Sequence, residues 1–310
     1  MKTPAIFIAS MKLVLMVTFA LAISSQAQQP PRPTDLLVAG EGWNSLSEGH
    51  KFTEGPAADA EGIVYFTDIP NNRIHRIALD GKVTVFAENT SGSNGLMFGP
   101  DGLLYACQNG TKRIVAYDKE AKEKVIVEGI ESNDIAVSHT GTLYVTDPNN
   151  KQVWFINAKR EKTVVDKGLG FPNGVRLTPD QSLLLVADSR SQYVYSYHIE
   201  PDGSLTSKQP FFQLIIPDGK TDSGADGMTF DRKGNLYVTT HLGVQVCDQA
   251  GRVITILTKP QNKWLANAVF GGSEMNYLYL TCSDKVYRRK LNAKGVLSFQ
   301  PPFLPPQPRL

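Results

Sequence analysis

The sequence predicts an all-β chain, a six-bladed β-propeller whose four-stranded antiparallel blades surround a central channel. Three observations predict it: an apolar segment recurs six times, the step between copies is nearly constant, and strand-like stretches flank most copies. The copies are Gly62-Ile-Val-Tyr-Phe-Thr-Asp68, Gly102-Leu-Leu-Tyr-Ala-Cys-Gln108, Gly141-Thr-Leu-Tyr-Val-Thr-Asp147, Ser182-Leu-Leu-Leu-Val-Ala-Asp188, Gly234-Asn-Leu-Tyr-Val-Thr-Thr240 and Asn276-Tyr-Leu-Tyr-Leu-Thr-Cys282. Aligning Tyr65, Tyr105, Tyr144, Leu185, Tyr237 and Tyr279 gives steps of 40, 39, 41, 52 and 42 residues. The long step coincides with an extra loop rich in Pro, Gly and Asp between Pro201 and Asp222.

Each element of the blade has its own local cause. The copies are apolar on both alternating faces, which suits a strand buried on both sides. Another apolar strand precedes most of them across turns such as Pro100-Asp101-Gly102 and Arg232-Lys233-Gly234. After the copy, a polar turn opens an alternating strand, as in Asp68 to Ile77, Asp147 to Ile156 and Asp188 to Tyr197. A fourth strand follows, for example Val83 to Phe86 or Lys162 to Val165. No helical period competes, and the WD signature of another propeller class is absent.

The expected organisation is a signal peptide over 1–27, one propeller over 28–300 without an internal boundary, and a Pro-rich tail over 301–310 forming a strap or a loose end. Lys2 and Lys12 precede the apolar run Leu13 to Ile23, and Ser25 and Ala27 bracket a cleavage site at Gln26. The uncharged run is shorter than the roughly 18 to 20 residues that span a bilayer. An exported protein, periplasmic or secreted, is therefore expected, with no transmembrane span after processing.

Across the 310 residues, 41% hydrophobic and 20% charged composition excludes disordered and fibrous classes. The formal charge of +2 resides in the leader, so the remaining chain is neutral and carries no basic cluster of the kind that binds nucleic acid. Cys107, Cys247 and Cys282 are odd in number and far apart, which suits buried thiols better than a disulfide framework. A monomer or weak dimer is expected.

About eleven residues before each copy's aligned position, the start of each innermost strand falls at one equivalent place facing the channel. It holds Glu54 in Glu-Gly-Pro, Asn94 in Ser-Asn-Gly, Asn133 in Ser-Asn-Asp, Asn173 in Pro-Asn-Gly and Asp226 in Ala-Asp-Gly. Any one of these dipeptides is ordinary turn chemistry. Their shared phase is what points to convergence of hard oxygen donors, as a divalent cation requires. Glu54 and Asp226 with the amide oxygens of Asn133 and Asn173 balance a +2 ion, and Asp134 adds a third carboxylate as alternative ligand or nearby base. Oxygen donors favour Ca2+, with Mg2+, Mn2+ or Zn2+ as substitutes.

Rival catalytic patterns are absent: there is no G-x-S-x-G elbow, H-E-x-x-H pair or Walker loop. His75 and His198 fall on outer-strand patterns and are expected at the surface, whereas His50 and His241 lie nearer the channel-end loops.

The segments Phe52-Thr-Glu-Gly-Pro56, Ser132-Asn-Asp-Ile135, Phe171-Pro-Asn-Gly174 and Gly224-Ala-Asp-Gly-Met228 follow in an order and spacing that resembles the senescence marker protein, gluconolactonase and regucalcin family. The resemblance spans about Trp43 to Lys290. It implies a metal-dependent hydrolase of a small-molecule lactone, most often a sugar lactone, with aryl-ester and organophosphate hydrolases among the wider relatives. It further implies Glu54, Asn173 and Asp226 as metal ligands, Asn133 or Asp134 as a further ligand, Asp226 as proton donor and acceptor with Asp134 second, and Asn94 as a substrate contact beside Asn133. Members that prefer aldonolactones carry Arg two residues before that Asn, where this chain has Gly92. The rivals are a non-catalytic binding propeller of the NHL type and a strictosidine-synthase-like propeller, since one fold supports many functions.

Overall fold

The computed structural model describes Met1 and residues 33–307. The leader expected over 1–27 therefore lies outside the described residues apart from Met1, as do residues 308–310 of the tail. Among the described residues no helix is long and apolar enough to cross a membrane.

Among the described residues, twenty-four strands form six separate four-stranded antiparallel sheets, and the protein is a six-bladed β-propeller. The first five blades each take four consecutive strands, over 53–88, 93–128, 135–167, 172–213 and 228–258. The sixth takes three strands over 265–290 and completes itself with the first strand among the described residues, Asn44–Glu48, paired antiparallel to Lys285–Lys290. The ring is thus closed by its own N-terminal segment.

The innermost strands are Thr53–Ala58, Ser93–Phe98, Ile135–Val137, Pro172–Leu177, Met228–Phe230 and Leu265–Gly271. Each packs against the innermost strand on either side, and the last packs against the first. They run in one direction, so one channel end collects their starts and the other their ends; these are the upper and lower mouths.

The recurring segment forms the second strand of each blade, and its residues divide the work. Tyr105, Tyr144, Tyr237 and Tyr279 are buried between blades. Three of the hydroxyls find partners at turns: Tyr105 donates to Asp101 at 2.9 Å, Tyr144 to the Gly203 carbonyl at 3.0 Å and Tyr237 to Asp231 at 3.1 Å. The Asp ending several copies staples the loop that leads into the innermost strand: Asp68 accepts from the amides of Lys51 and Phe52, and Asp188 from those of Gly170 and Phe171. All three cysteines are free and buried.

The lower mouth is covered by the chain after the last blade. Arg232 N–H donates to the Lys294 carbonyl at 2.8 Å, Gln181 Nε2 to that of Ser298 at 2.6 Å, and Phe303 N–H to that of Pro179 at 3.0 Å. This strap begins well before Pro301. Beneath it lies a cavity of about 230 Å3 lined by Ala57, Phe98, Leu177, Phe230, Leu297 and Phe299, among others.

One expectation is corrected. His75 is not at the surface but 8% exposed, stacked on Phe66 with centroids 5.0 Å apart. The strand alternation placed it on an outer face, but the connector carrying His50 crosses over that face. His198 is exposed.

Candidate functional site

Pairing within the blades breaks at one repeated place. The innermost strand slips register between Glu54 and Ala57, Ser93 and Leu96, Pro172 and Val175, and Leu265 and Asn267. In the third and fifth blades the ladder begins only after Asp134 and Gly227. Such irregularities re-aim side chains. Here they lie at the upper mouth, at the positions that the sequence places in one register.

Threonines of the second strand secure the irregular backbone. Thr67 Oγ1 donates to the Asn94 carbonyl at 3.1 Å, Thr239 Oγ1 to the Ala266 carbonyl at 2.8 Å, and Thr281 Oγ1 accepts the Asn267 amide at 3.0 Å. The glycines behind the register have a separate cause. A Cβ on Gly55 would lie 2.0 Å from the Asn94 carbonyl oxygen, and one on Gly174 would lie 2.1 Å from that of Asp226. Adjacent blades meet there with no room for a side chain, so the Asn-Gly and Glu-Gly pattern is in part a demand of ring closure.

The side chains converge. Glu54, Asp134, Asn173 and Asp226 are buried, while Asn94 and Asn133 are half-buried. Glu54 accepts the Gly55 amide at 2.5 Å and Asn267 Nδ2 at 3.3 Å. Asn267 in turn fills the space over Gly227, the residue after Asp226, and so bridges the two carboxylate positions. Asn173 Nδ2 donates to Ser189 Oγ at 3.1 Å and Ser189 Oγ donates to the Ala225 carbonyl at 2.5 Å, which ties the fourth blade to the segment holding Asp226. Trp264 Nε1 donates to Asp226 Oδ2 at 2.9 Å, and its ring stands edge-on to His241, whose Nε2 lies 2.9 Å from Asp222 Oδ1.

Burial raises the carboxyls of Glu54, Asp134 and Asp226 above their ordinary range. Negative charge on Glu54 raises Asp226 further, and that on Asp134 raises both. The Arg176 guanidinium pulls Asp134 down; it is buried in the channel below, donating from Nε to the Met228 carbonyl.

Several oxygens here lack partners. Asn94 Oδ1, Asn173 Oδ1 and Asp134 Oδ2 are buried without a hydrogen bond. An unpaired buried acceptor is unfavourable by about 1–3 kcal/mol, and buried carboxylates that repel one another add to the deficit. A bound cation relieves both, and oxygen-only donors suit a hard ion. The residues present therefore fit a divalent cation.

Sequence reasoning missed Asn267 and Trp264. Asn267 precedes Tyr279 by the same number of residues as Asn173 precedes Leu185, so phase alone would have found it; Ala268 behind it breaks the Gly or Asp pattern. Trp264 lies in a loop outside the repeat and carries no such signal. Among the described residues, another group has metal-type donors: His50, Asp68 and His75.

Residues 52–284 match the model of the SMP-30/Gluconolactonase/LRE-like region, and the chain belongs to that family. It is similar to a gluconolactonase of Zymomonas mobilis, 25% identical over 305 residues with 86% of this chain and 85% of that one covered. It is also similar to a pentonolactonase of Haloferax volcanii, 24% identical over 238 residues and covering 74% and 80% of the two chains. A crystal structure described as a calcium-binding protein, regucalcin, from Agrobacterium tumefaciens shares the fold with a TM-score of 0.72 at 17% identity, covering 87% of this chain and 98% of that one.

Proposed function

We propose that the protein is a lactonase acting on a sugar-type lactone, with one divalent cation, Ca2+ by its donor chemistry, held at the upper mouth by Glu54, Asn173 and Asp226 with Asn133 as a further ligand. The observation that carries this is the set of buried, unpartnered oxygens beside two mutually repelling carboxylates. Family membership and the lactonase names of the relatives at Zymomonas mobilis and Haloferax volcanii support the reaction class.

When bound, the cation supplies Lewis-acid polarisation of the substrate carbonyl. Asp226 handles the proton: it takes one from the attacking water and returns it to the leaving ring oxygen. Trp264 donates to Oδ2 of that carboxylate and holds the group in place. Asp134, raised by burial and only partly drawn back by Arg176, is the second candidate for the base. Asn94 and Asn133, half-buried at the rim, contact substrate hydroxyls. The Trp264 ring, 39% exposed, offers the sugar an apolar face.

At Gly92 an added Cβ would lie in ordinary contact with the Gly110 amide nitrogen at 3.5 Å, and this position supplies no side chain to the substrate. The leader-like residues 1–27 support placing the reaction outside the cytoplasm.

The test is a panel of aldonolactones, an unsubstituted lactone and an aryl acetate, each followed by acid release. Hydrolysis of aldonolactones above the other two, lost in Asp226→Asn, is expected. Hydrolysis of the aryl acetate alone would replace this reading with an aryl-esterase, and no hydrolysis of any of them with a binding propeller.

A further inference from the structure

His50, Asp68 and His75 each place one ligand atom within 4.8 Å of the other two. They come from three elements: His50 from the connector between Asn44–Glu48 and Thr53–Ala58, Asp68 from the end of the first blade's second strand, and His75 from the middle of its third. The cluster lies where the closing strand of the last blade hands the chain to the first.

His50 Nδ1 stands 3.3 Å from Asp68 Oδ2. That is long for a hydrogen bond to a carboxylate. It matches the spacing of two ligands around a tetrahedral ion with bonds of about 2.0–2.1 Å, which is about 3.3–3.4 Å.

The surroundings of each side chain suit ligation. His50 Nε2 lies 2.7 Å from Ser47 Oγ, the kind of outer partner that fixes a metal-bound imidazole and leaves its other nitrogen free to ligate. Asp68 Oδ1 is taken by the amides of Lys51 and Phe52 at 3.1 and 3.2 Å, and Asn71 Nδ2 positions Oδ2 at 2.7 Å. His75 is 8% exposed, stacked on Phe66 and edge-on to His50 with centroids 4.8 Å apart. Its Nε2 is buried with no hydrogen-bond partner.

We propose that His50 Nδ1, Asp68 Oδ2 and His75 hold a second transition-metal ion of the Zn2+ class, with water as the fourth ligand, which ties the ring-closing connector to the first blade. Two imidazoles and one carboxylate select such an ion over Ca2+. The all-oxygen channel mouth selects the reverse. The site is distinct from the proposed catalytic one and does not depend on it.

The experiment uses the full chain, stripped of metal and titrated with Zn2+ alone or Co2+ alone, both as wild type and as Asp226→Asn to disable the channel site. Zn2+ should bind with one equivalent in Asp226→Asn, Co2+ should give the visible absorption of a tetrahedral centre, and Zn2+ should raise the unfolding temperature. Ser47→Ala should weaken Zn2+ binding by about 10- to 100-fold. His75→Phe, which retains the stack on Phe66, should abolish it. His50→Gln does the same at a connector position and keeps the test open if His75→Phe does not fold, as judged by circular dichroism without metal. Zn2+ binding that vanishes in Asp226→Asn, or that survives His75→Phe and His50→Gln unchanged, would overturn the proposal.

Discussion

The two mouths of the channel are built from opposite ends of the same six strands, yet their chemistry is opposed. At the upper mouth the strands bulge, and carboxylates and amide oxygens converge with part of their hydrogen-bonding capacity unmet. At the lower mouth the strands end in apolar residues such as Ala58, Phe98 and Phe230, and a strap closes over a cavity of about 230 Å3. By contrast, a pocket beside Trp264 and His241 at the upper end has a volume of about 10 Å3. The unsatisfied oxygens of Asn94, Asn173 and Asp134 are the feature that supports proposing a site at the upper mouth, because a buried acceptor without a donor calls for a partner.

Substitutions at the two ends should separate these roles, and the largest effect belongs to Asp226. Asp226→Asn should lower lactone turnover by about 10²- to 10⁴-fold, the range for a lost acid–base group, while unfolding temperature without metal stays level or rises as a buried repulsion disappears. A steady-state assay with a parallel melt checks both parts. Asn267→Ala removes a support of Glu54 without removing a ligand, and cation affinity measured by calorimetry should fall about 10- to 100-fold. Trp264→Phe deletes one hydrogen bond to a charged group, worth about 1.5–3 kcal/mol, so kcat should fall by about 10- to 150-fold. At the other end, Phe299→Ala should lower stability by about 2–4 kcal/mol in urea unfolding with KM and kcat unchanged. A matching loss of kcat there would erase the distinction between the mouths.

The blades were legible because their recurring segment does several jobs at once: its Tyr packs between blades, its Thr pins the bulge and its Asp staples a loop. The closing strand was not. Asn44-Ser-Leu-Ser-Glu48 is polar, and its pairing with Lys285–Lys290 spans nearly the whole chain, a long-range match that no local pattern encodes. The register of Glu54, Asn94, Asn133, Asn173 and Asp226 was visible, but its glycines answer to blade packing as much as to any ligand. For that reason the dipeptide pattern overlooked Asn267, which bridges Glu54 and the Asp226 segment with Ala268 behind it. His75 shows the converse limit, since alternation within one strand does not reveal a connector that crosses over it.

The central claim is that distant carboxylate and amide groups meet to grip one hard cation on which hydrolysis depends. Purified protein should carry Ca2+ near one equivalent, lose lactone hydrolysis on chelation and regain it when Ca2+ is restored, with Glu54→Gln defective throughout. Full-rate hydrolysis by protein shown to be free of metal would contradict the account.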